Sequence, residues 1–366
     1  MKHLLITPDF PPQFGGIATY LKNLSDQFNP QDLLVLAPPR GESNSFDGAQ
    51  RYPIQRNLKL TNWKKFILDI RRIVKGNQID HVIISHVIPM GYVALASGTP
   101  YTVIIHGMDI RLAGQKWHRK MLTKCVLKKA AIIVVNSNDT KQALAAFGNF
   151  ESKTVLAYPC PKPLDQIAIN PAREQEIKSM YFDGHEVILS VNRLVKRKGN
   201  DMVIKSLPAL RTKHPTLRYV ILGNGVEKDY LLTVAKEQGV QDMVTIVENI
   251  GDQDLQYFFR NAKLFVQPAR MIGESDVEGF GIVYLEAALF GLPSVAGNVG
   301  GAPESVINGQ TGITVDPDST QAIAEAVERL LSDDALRVQL GEAAKTRAQS
   351  DFTWPKQFKE LLNRIS

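Results

Sequence analysis

The sequence predicts an α/β protein of two domains, each built on a parallel sheet, from three observations. Short, wholly apolar runs recur along the chain and end in glycine or polar loops that open helices, the pattern of strands buried on both faces. A length of 366 residues suits two such domains. A proline-rich stretch, Tyr158-Pro-Cys-Pro-Lys-Pro163, breaks the pattern near the middle and marks a linker reaching to about Glu174.

Composition supports the class. Apolar residues make up 44% and charged residues 22%, enough for two full cores. The two cysteines, Cys125 and Cys160, have no metal-ligand spacing and imply no disulfide framework, which fits a reducing cytoplasm. The opening MKHLLITPDF stops at Pro8, too short for a signal segment, and no run approaches the ~18 apolar residues of a membrane span. Membrane contact is therefore expected to be peripheral.

In chain order, His3 to Thr7 reads as the first strand. It feeds a loop stiffened by Pro11-Pro12 and ending at Gly15-Gly16, where a helix carrying Tyr20, Leu21, Leu24 and Phe28 begins. A glycine pair at a strand-to-helix turn lets backbone approach a ligand and aims N–H groups at it. The same pair equally fits a tight turn and nothing more. Leu33 to Ala37 is a second strand, and residues 38–57 read as an irregular surface loop. Leu60 to Lys75 is helical, with Trp63, Phe66, Ile67, Ile70 and Val74 on one face. His81 to Ser85 and Tyr101 to Ile105 are further strands. The latter ends at His106-Gly107-Met108-Asp109, at the edge of an open sheet where ligands bind. Gln115 to Ala131 reads as one long basic helix, and Ile132 to Asn136 as a strand entering a helix at Ser137-Asn138.

Beyond the break, Val187 to Val191 is a strand running into NRLVKRKGNDMVIKSLPAL. Arg193 and Lys198 project from that strand-to-helix turn, where two cations can neutralise a diphosphate. Lys196 and Arg197 read as plain surface charge. Leu217 to Leu222 leads to Gly223-Asn224-Gly225, a fragment of a dinucleotide glycine pattern, and Val244 to Val247 leads to Glu248-Asn249-Ile250. The most informative stretch is VQPARMIGESDVEGFGIVYLEAALFGLPSVAGNVGGAPES, a strand–loop–helix–strand unit starting at Val266. Its loop ends at Gly279-Phe280-Gly281, and Ile282 starts a helix whose N-terminal amides can hold an anion. Glu278 stands before that helix and Glu286 on it. The last helices run over Ser319 to Leu331, Asp334 to Gln349 and Lys356 to Arg364.

Glu278 and Glu286, with seven residues between them and FG inside, resemble the E-x7-E motif of the retaining GT-B glycosyltransferases of family four. DVEGFGIVYLEA is similar to the subgroup of GDP-mannose-dependent phosphatidylinositol mannosyltransferases. RLVKRKG resembles the family's G-R-x-x-x-x-K-G element with Asn192 in place of the glycine. The resemblance covers most of the chain. It implies the GT-B fold, two Rossmann-like domains facing across a cleft. Residues 1–165 would bind the acceptor and residues 166–351 the nucleotide sugar, with 352–366 returning to the first domain.

The resemblance also implies the site. Arg193, Lys198, Gly15, Gly16 and the helix head at Gly279, Phe280, Gly281 and Ile282 would face the donor diphosphate. Glu278 would orient the sugar hydroxyls and Glu286 the ribose. His106 would meet the sugar near its anomeric centre. Gly223 and Ile250 would lie along the nucleotide, with backbone near Ile250 presented to the base. No cofactor and no metal is expected. The triplets Asp252-Gln-Asp254 and Asp316-Pro-Asp318 sit at helix starts, where N-capping accounts for them. The implied activity is retaining transfer of a hexose, mannose by preference, to a lipid-linked or glycan acceptor, with the donor phosphate assisting deprotonation. A transferase using UDP-glucose or UDP-N-acetylglucosamine, a nucleotide-sugar epimerase, and a non-catalytic nucleotide-sugar-binding protein stay open as alternatives.

Charge adds a partner. Residues 1–165 hold 21 Lys and Arg against 11 Asp and Glu, whereas the remainder holds 22 against 26. Lys116, Arg119, Lys120, Lys124, Lys128 and Lys129 fall between Gln115 and Ala131 with no acid among them. The first half is expected to meet an anionic membrane surface or acceptor, with Trp117, and less readily Trp63, at the interface. No nucleic-acid motif accompanies the charge.

Overall fold

The computed structural model describes residues 1–13, 15–41, 43–58 and 63–365, with residues 63–67 as backbone alone. The chain divides into two compact units, Met1–Pro159 with Trp354–Ser366, and Cys160–Thr353.

The first unit runs β1 (His3–Ile6), α1 (Gly16–Ser25), β2 (Leu33–Leu36), α2 (Ser43–Gly48), β3 (Ile54–Gln55), α3 (Trp63–Gly76), β4 (His81–Ser85), α4 (Met90–Ser97), β5 (Tyr101–Ile105), α5 (Met108–Gly114), α6 (Trp117–Lys129), β6 (Ile132–Val135), α7 (Asn138–Ala145) and β7 (Thr154–Leu156). Among the described residues these strands form a seven-stranded parallel sheet in the order β3-β2-β1-β4-β5-β6-β7, with Leu5 between Val35 and Ile83. Alternate strand residues feed opposite cores. Leu4, Ile6, Ile84 and Ile105 pack under Met90, Val93, Val126 and Leu127. Leu5, Val35, Ile83 and Ile104 pack under Tyr20, Leu21 and Leu24 on the other face. Burial on both faces is why the strands read as unbroken apolar runs.

The second unit continues with α8 (Pro171–Tyr181), β8 (Glu186–Val191), α9 (Asn200–Arg211), β9 (Leu217–Leu222), α10 (Lys228–Glu237), β10 (Val244–Val247), α11 (Asp252–Asn261), β11 (Leu264–Gln267), α12 (Ile282–Leu289), β12 (Ser294–Gly297), α13 (Ala302–Ser305), β13 (Gly312–Val315), α14 (Thr320–Ser332) and α15 (Asp334–Asp351). Among the described residues its sheet is six-stranded and parallel, in the order β10-β9-β8-β11-β12-β13. The final helix, α16 (Trp354–Ile365), belongs to the first unit. Its Phe358, Leu361 and Ile365 join that unit's core, and Trp354 stacks on Phe358 with ring centroids 5.3 Å apart.

Four expectations are corrected. The border between units falls after Pro159 rather than at residue 165, because Leu164 is buried in the second unit among Tyr257 and Phe258. The expected linker as far as Glu174 holds the start of α8, capped by Asn170 with Pro171 in its first turn. Residues 38–57 contain α2 and β3; their apolar residues, Phe46, Tyr52 and Ile54, are too scattered to show a period. The basic helix is one helix, α6, but shorter than Gln115 to Ala131: it starts at Trp117, since Lys116 is extended (φ −118°, ψ 131°), and ends at Lys129. The expected start of the helix at Leu60 and the burial of Trp63, Phe66 and Ile67 lie outside the described residues and side chains.

Candidate active site

In the second unit the strand order reverses between β8 and β11, so the loops after these two strands flank the crevice where open α/β sheets take ligands. The loop after β8 is a tight cationic turn. Its first residue, Asn192, exchanges amide hydrogen bonds with Asn200 at 3.1 and 2.9 Å and donates to Gln267 Oε1 at 3.0 Å, which ties β8, α9 and β11 together. The Asn192 side chain is thus engaged by three hydrogen bonds to two partners. A single 3₁₀ turn over Lys196–Lys198 follows and closes at Gly199, whose φ is 75°. A Cβ there would also stand 2.2 Å from the carbonyl oxygen of Pro268, so the position admits only glycine. Beneath the turn, Arg270 forms a bidentate buried pair with Asp201 at 2.8 and 2.9 Å. Arg270 also donates through Nε to the Lys196 carbonyl at 3.2 Å and through its backbone amide to the Arg197 carbonyl at 2.8 Å.

The loop after β11 brings acids to this turn. Glu278 Oε2 receives Lys198 Nζ in a short contact and Arg197 Nη1 at 3.1 Å, and Arg197 Nε stands 2.8 Å from Asp276. The Arg197, Lys198 and Glu278 side chains are each 12% exposed, whereas Arg193 at the rim is exposed. Burial pushes the Glu278 carboxyl up, but Lys198, Arg197 and Arg193 together outweigh it and hold the carboxyl below its usual range. Burial draws the Lys198 ammonium down, Arg197 and Arg193 add to that, and Glu278 opposes it. The cluster carries three cations against two carboxylates and presents a surplus of positive charge to an incoming anion.

Gly281, with φ 85°, begins α12. Glu286 lies on that helix, half-buried, and burial pushes its carboxyl up to about 7. The Lys162 charge and backbone amide oppose the shift, and Asp252 reinforces it. Lys162 itself pairs with both oxygens of Asp252 at 3.0 Å.

The remaining residues sort differently. Phe280 is buried and packs its ring on Phe352, so only its backbone can serve a ligand. A Cβ on Gly223 would lie 1.8 Å from the Asn192 carbonyl oxygen, which makes that glycine a packing requirement of the cationic turn. Ile250 is partly buried against the second core, next to Asn249 at φ 59°. Neither D-x-D triplet caps a helix: Gly251 and Ser319 hold the cap positions. Asp252 and Asp254 instead pair with Lys162 and Arg173, and Asp316 Oδ1 accepts the Asp318 amide. Arg197, read from the sequence as surface charge, is part of the site, while Lys196 is exposed as expected.

In the first unit the order reverses between β1 and β4. His106 follows β5; its amide donates to Asp109 at 3.0 Å, and Asp109 also accepts the Val87 amide at 3.3 Å, joining two strand ends. The ring packs edge-on against Tyr20, a residue of the helix that Gly15 and Gly16 open, and 5.1 Å from the His86 ring. Burial, helped by His86, holds His106 neutral, and its Nε2 is buried without a partner among the described residues. Gly15 has nothing within 4 Å of where a Cβ would stand. His86, at φ 73°, lies 3.6 Å from Asp9 and accompanies His106 unannounced by any spacing in the sequence. Its one signal was its place directly after an apolar run, the same that singled out His106.

The profile described as Glycosyl transferases group 1 matches residues 172–347, and that described as Glycosyltransferase Family 4 matches residues 14–160. A GDP-mannose-dependent alpha-(1-6)-phosphatidylinositol monomannoside mannosyltransferase of Mycobacterium tuberculosis is 30% identical over 96% of this chain and 94% of its own. The protein of that name in Mycolicibacterium smegmatis is 31% identical over 99% and 98%. The chain belongs to the family-four glycosyltransferases. The solved structure of HepE from Anabaena in complex with UDP matches with a TM-score of 0.84 at 17% identity, covering 100% of this chain and 99% of its own, and shows the shared fold. The family-four chain is thus an α/β protein of the GT-B class, as its sequence motifs imply, and a transferase that uses a nucleotide sugar.

Proposed function

We propose that this family-four enzyme is a retaining, metal-independent mannosyltransferase that moves mannose from GDP-mannose to a lipid-linked or glycan acceptor. One observation carries the reading: Lys198, Arg193 and Glu278 converge at the switch point of the second sheet, with Glu286 further along α12. A departing nucleoside diphosphate gathers negative charge, and preorganised cations are the means of stabilising it. Arg193, Lys198 and the amides of Gly279, Phe280, Gly281 and Ile282 take that part. Glu278 orients the hexose hydroxyls and Glu286 accepts from the ribose. From the first unit, Gly15 and Gly16 are assigned to the diphosphate. His106, uncharged and with Nε2 unspent, is assigned to the sugar near its anomeric centre. The curated mannosyltransferase relatives favour GDP-mannose as the donor.

The same reading places the first unit on an anionic membrane. Along α5 and α6, Met108, Leu112, Trp117 and Met121 are exposed, Trp117 to 80%, among Lys116, Arg119, Lys120 and Lys124. Each basic residue near an anionic surface contributes on the order of 1 kcal/mol. Among the described residues no helix is long and apolar enough to cross a membrane.

The test is a donor-by-acceptor screen in EDTA with products read by mass spectrometry and anomeric configuration by NMR. Transfer from GDP-mannose with retention is expected. Preference for a UDP-sugar, inversion, or recovery of activity only on adding Mg²⁺ or Mn²⁺ would each overturn the corresponding part. For the membrane part, vesicles rich in anionic lipid should sediment the protein at low salt and release it at high salt; equal recovery with neutral vesicles refutes it.

A further inference from the structure

One oxygen of Glu278 serves two cations. Oε2 receives both Lys198 Nζ and Arg197 Nη1, and the second of these has a separate ion pair, since Arg197 Nε stands 2.8 Å from Asp276 Oδ1, though outside hydrogen-bonding alignment. The backbone on both sides of this contact is fixed. The Arg197 carbonyl accepts the Arg270 amide at 2.8 Å, and the Glu278 carbonyl accepts the Gly301 amide at 2.9 Å. Asp276 is itself placed by a two-way backbone bridge with Ile272 at 2.8 and 3.3 Å. Arg197 is therefore a brace between two loops, held at its root and at its fork.

Among the described residues Lys198 has no such second anchor. Its ammonium is a point charge on a flexible stem and is free to exchange one anion for a stronger one. A diphosphate carries more charge than a single carboxylate, so the ligand that Lys198 would serve in the proposed function competes with Glu278 for it. When Lys198 turns to that ligand, Glu278 loses its nearest cation. Arg197, with a planar fork and a separate hold on Asp276, stays.

We propose that Arg197, braced by Asp276, is the positioning residue that keeps the Glu278 carboxylate aimed at the donor sugar after Lys198 has passed to the diphosphate. The inference rests on the donor-binding roles of Lys198 and Glu278 stated above. It assigns Arg197 no contact with the donor; its effect runs through Glu278.

The test compares Arg197→Gln, Arg197→Lys, Asp276→Asn, Glu278→Gln and Arg197→Gln/Glu278→Gln, with whichever sugar nucleotide the wild type turns over. Arg197→Gln is expected to leave the affinity for the nucleoside diphosphate product within about twofold and to lower kcat on the order of tenfold or more, since the product lacks the sugar that Glu278 orients. Discrimination between the donor and its hexose epimer should fall with kcat. Arg197→Lys restores the charge without the fork and should recover only part of the loss. Asp276→Asn, on a more exposed side chain, should move kcat and selectivity in the same direction with the fold intact. The double variant should be no slower than Glu278→Gln alone, because both substitutions act through one carboxylate.

Wild-type kcat and selectivity in Arg197→Gln or Asp276→Asn, beside an impaired Glu278→Gln, would overturn the positioning role and leave the donor reading standing. Wild-type turnover in Glu278→Gln would instead remove the reading on which the inference rests. Weakened product binding in Arg197→Gln with unchanged kcat would make Arg197 a diphosphate ligand and refute the proposal.

Discussion

Glu286 is set up to make donor binding depend on pH in the physiological range. Its carboxyl is raised from 4.5 to about 7, so near neutrality the free enzyme holds it partly protonated. A protonated carboxyl loses much of its power to accept two ribose hydroxyls. With a value near 7, roughly one molecule in ten is ionised at pH 6 and nine in ten at pH 8, so affinity should rise by about tenfold, or ~1.4 kcal/mol, between them. Calorimetry with GDP-mannose is the assay, because its diphosphate carries no terminal phosphate to titrate in this range. Buffers of different ionisation enthalpy should reveal proton release on binding at pH 6.5. The stability effect has the opposite sign. A carboxyl raised on folding binds more protons in the native state, so unfolding free energy falls as pH rises from about 4.5 to about 7. From this group alone the loss is about 3 kcal/mol. Glu286→Gln should therefore be more thermostable than wild type at pH 8, equal to it near pH 4.5, and weak in donor binding at every pH. A flat affinity profile in the wild type, or the same slope in Glu286→Gln, would refute the reasoning.

Arg193→Ala and Lys198→Ala should each lower kcat/KM by about 2–4 kcal/mol, as loss of one preorganised charge-stabilising group does; steady-state kinetics at saturating acceptor decide it. Arg270→Ala leaves the buried Asp201 with only Lys205, 3.6 Å away, and equilibrium denaturation should show a loss of up to about 3 kcal/mol. Gly199→Ala must adopt a left-handed backbone and push against the Pro268 carbonyl, so it should lose more than about 2 kcal/mol in the same measurement, whereas Gly239→Ala, which has open space around it but a φ of 66°, should lose only about 1.

Much of this was legible because the relevant signals are local. The strands were visible because both faces are buried and nothing polar interrupts them. Arg193 and Lys198 were singled out by their place at the end of such a strand, and Glu278 by its place before the helix that opens at Ile282 and by the E-x7-E motif. Arg197 was not, and the reason lies in the turn. Successive side chains of a 3₁₀ turn diverge by about a third of a circle, so a run of three cations splits into one that faces solvent and two that face inward. No periodicity over three residues reveals which is which, and its partner Glu278 lies 81 positions away. The environment of Glu286 was hidden for the same reason, since Lys162 and Asp252 come from distant segments. The D-x-D triplets misled in the other direction: an acid at a helix start was read as a cap, but in both places the residue before the helix already held that position. His86 and Asp9 came from separate loops whose meeting only the sheet order determines.

The amide cluster at Asn192 has a consequence for how this site can change over time. Asn192, Asn200 and the Gln267 carbonyl oxygen are joined by three hydrogen bonds, so exchanging any one for a smaller residue strands a buried donor or acceptor at about 1–3 kcal/mol. Exchange of Asn192 for glycine would therefore pass through a disadvantaged intermediate unless Asn200 and Gln267 changed with it. The three positions form a single unit of inheritance. In a lineage carrying this cluster they should vary together or not at all, which makes the joint identity of these residues a marker for sorting relatives by descent.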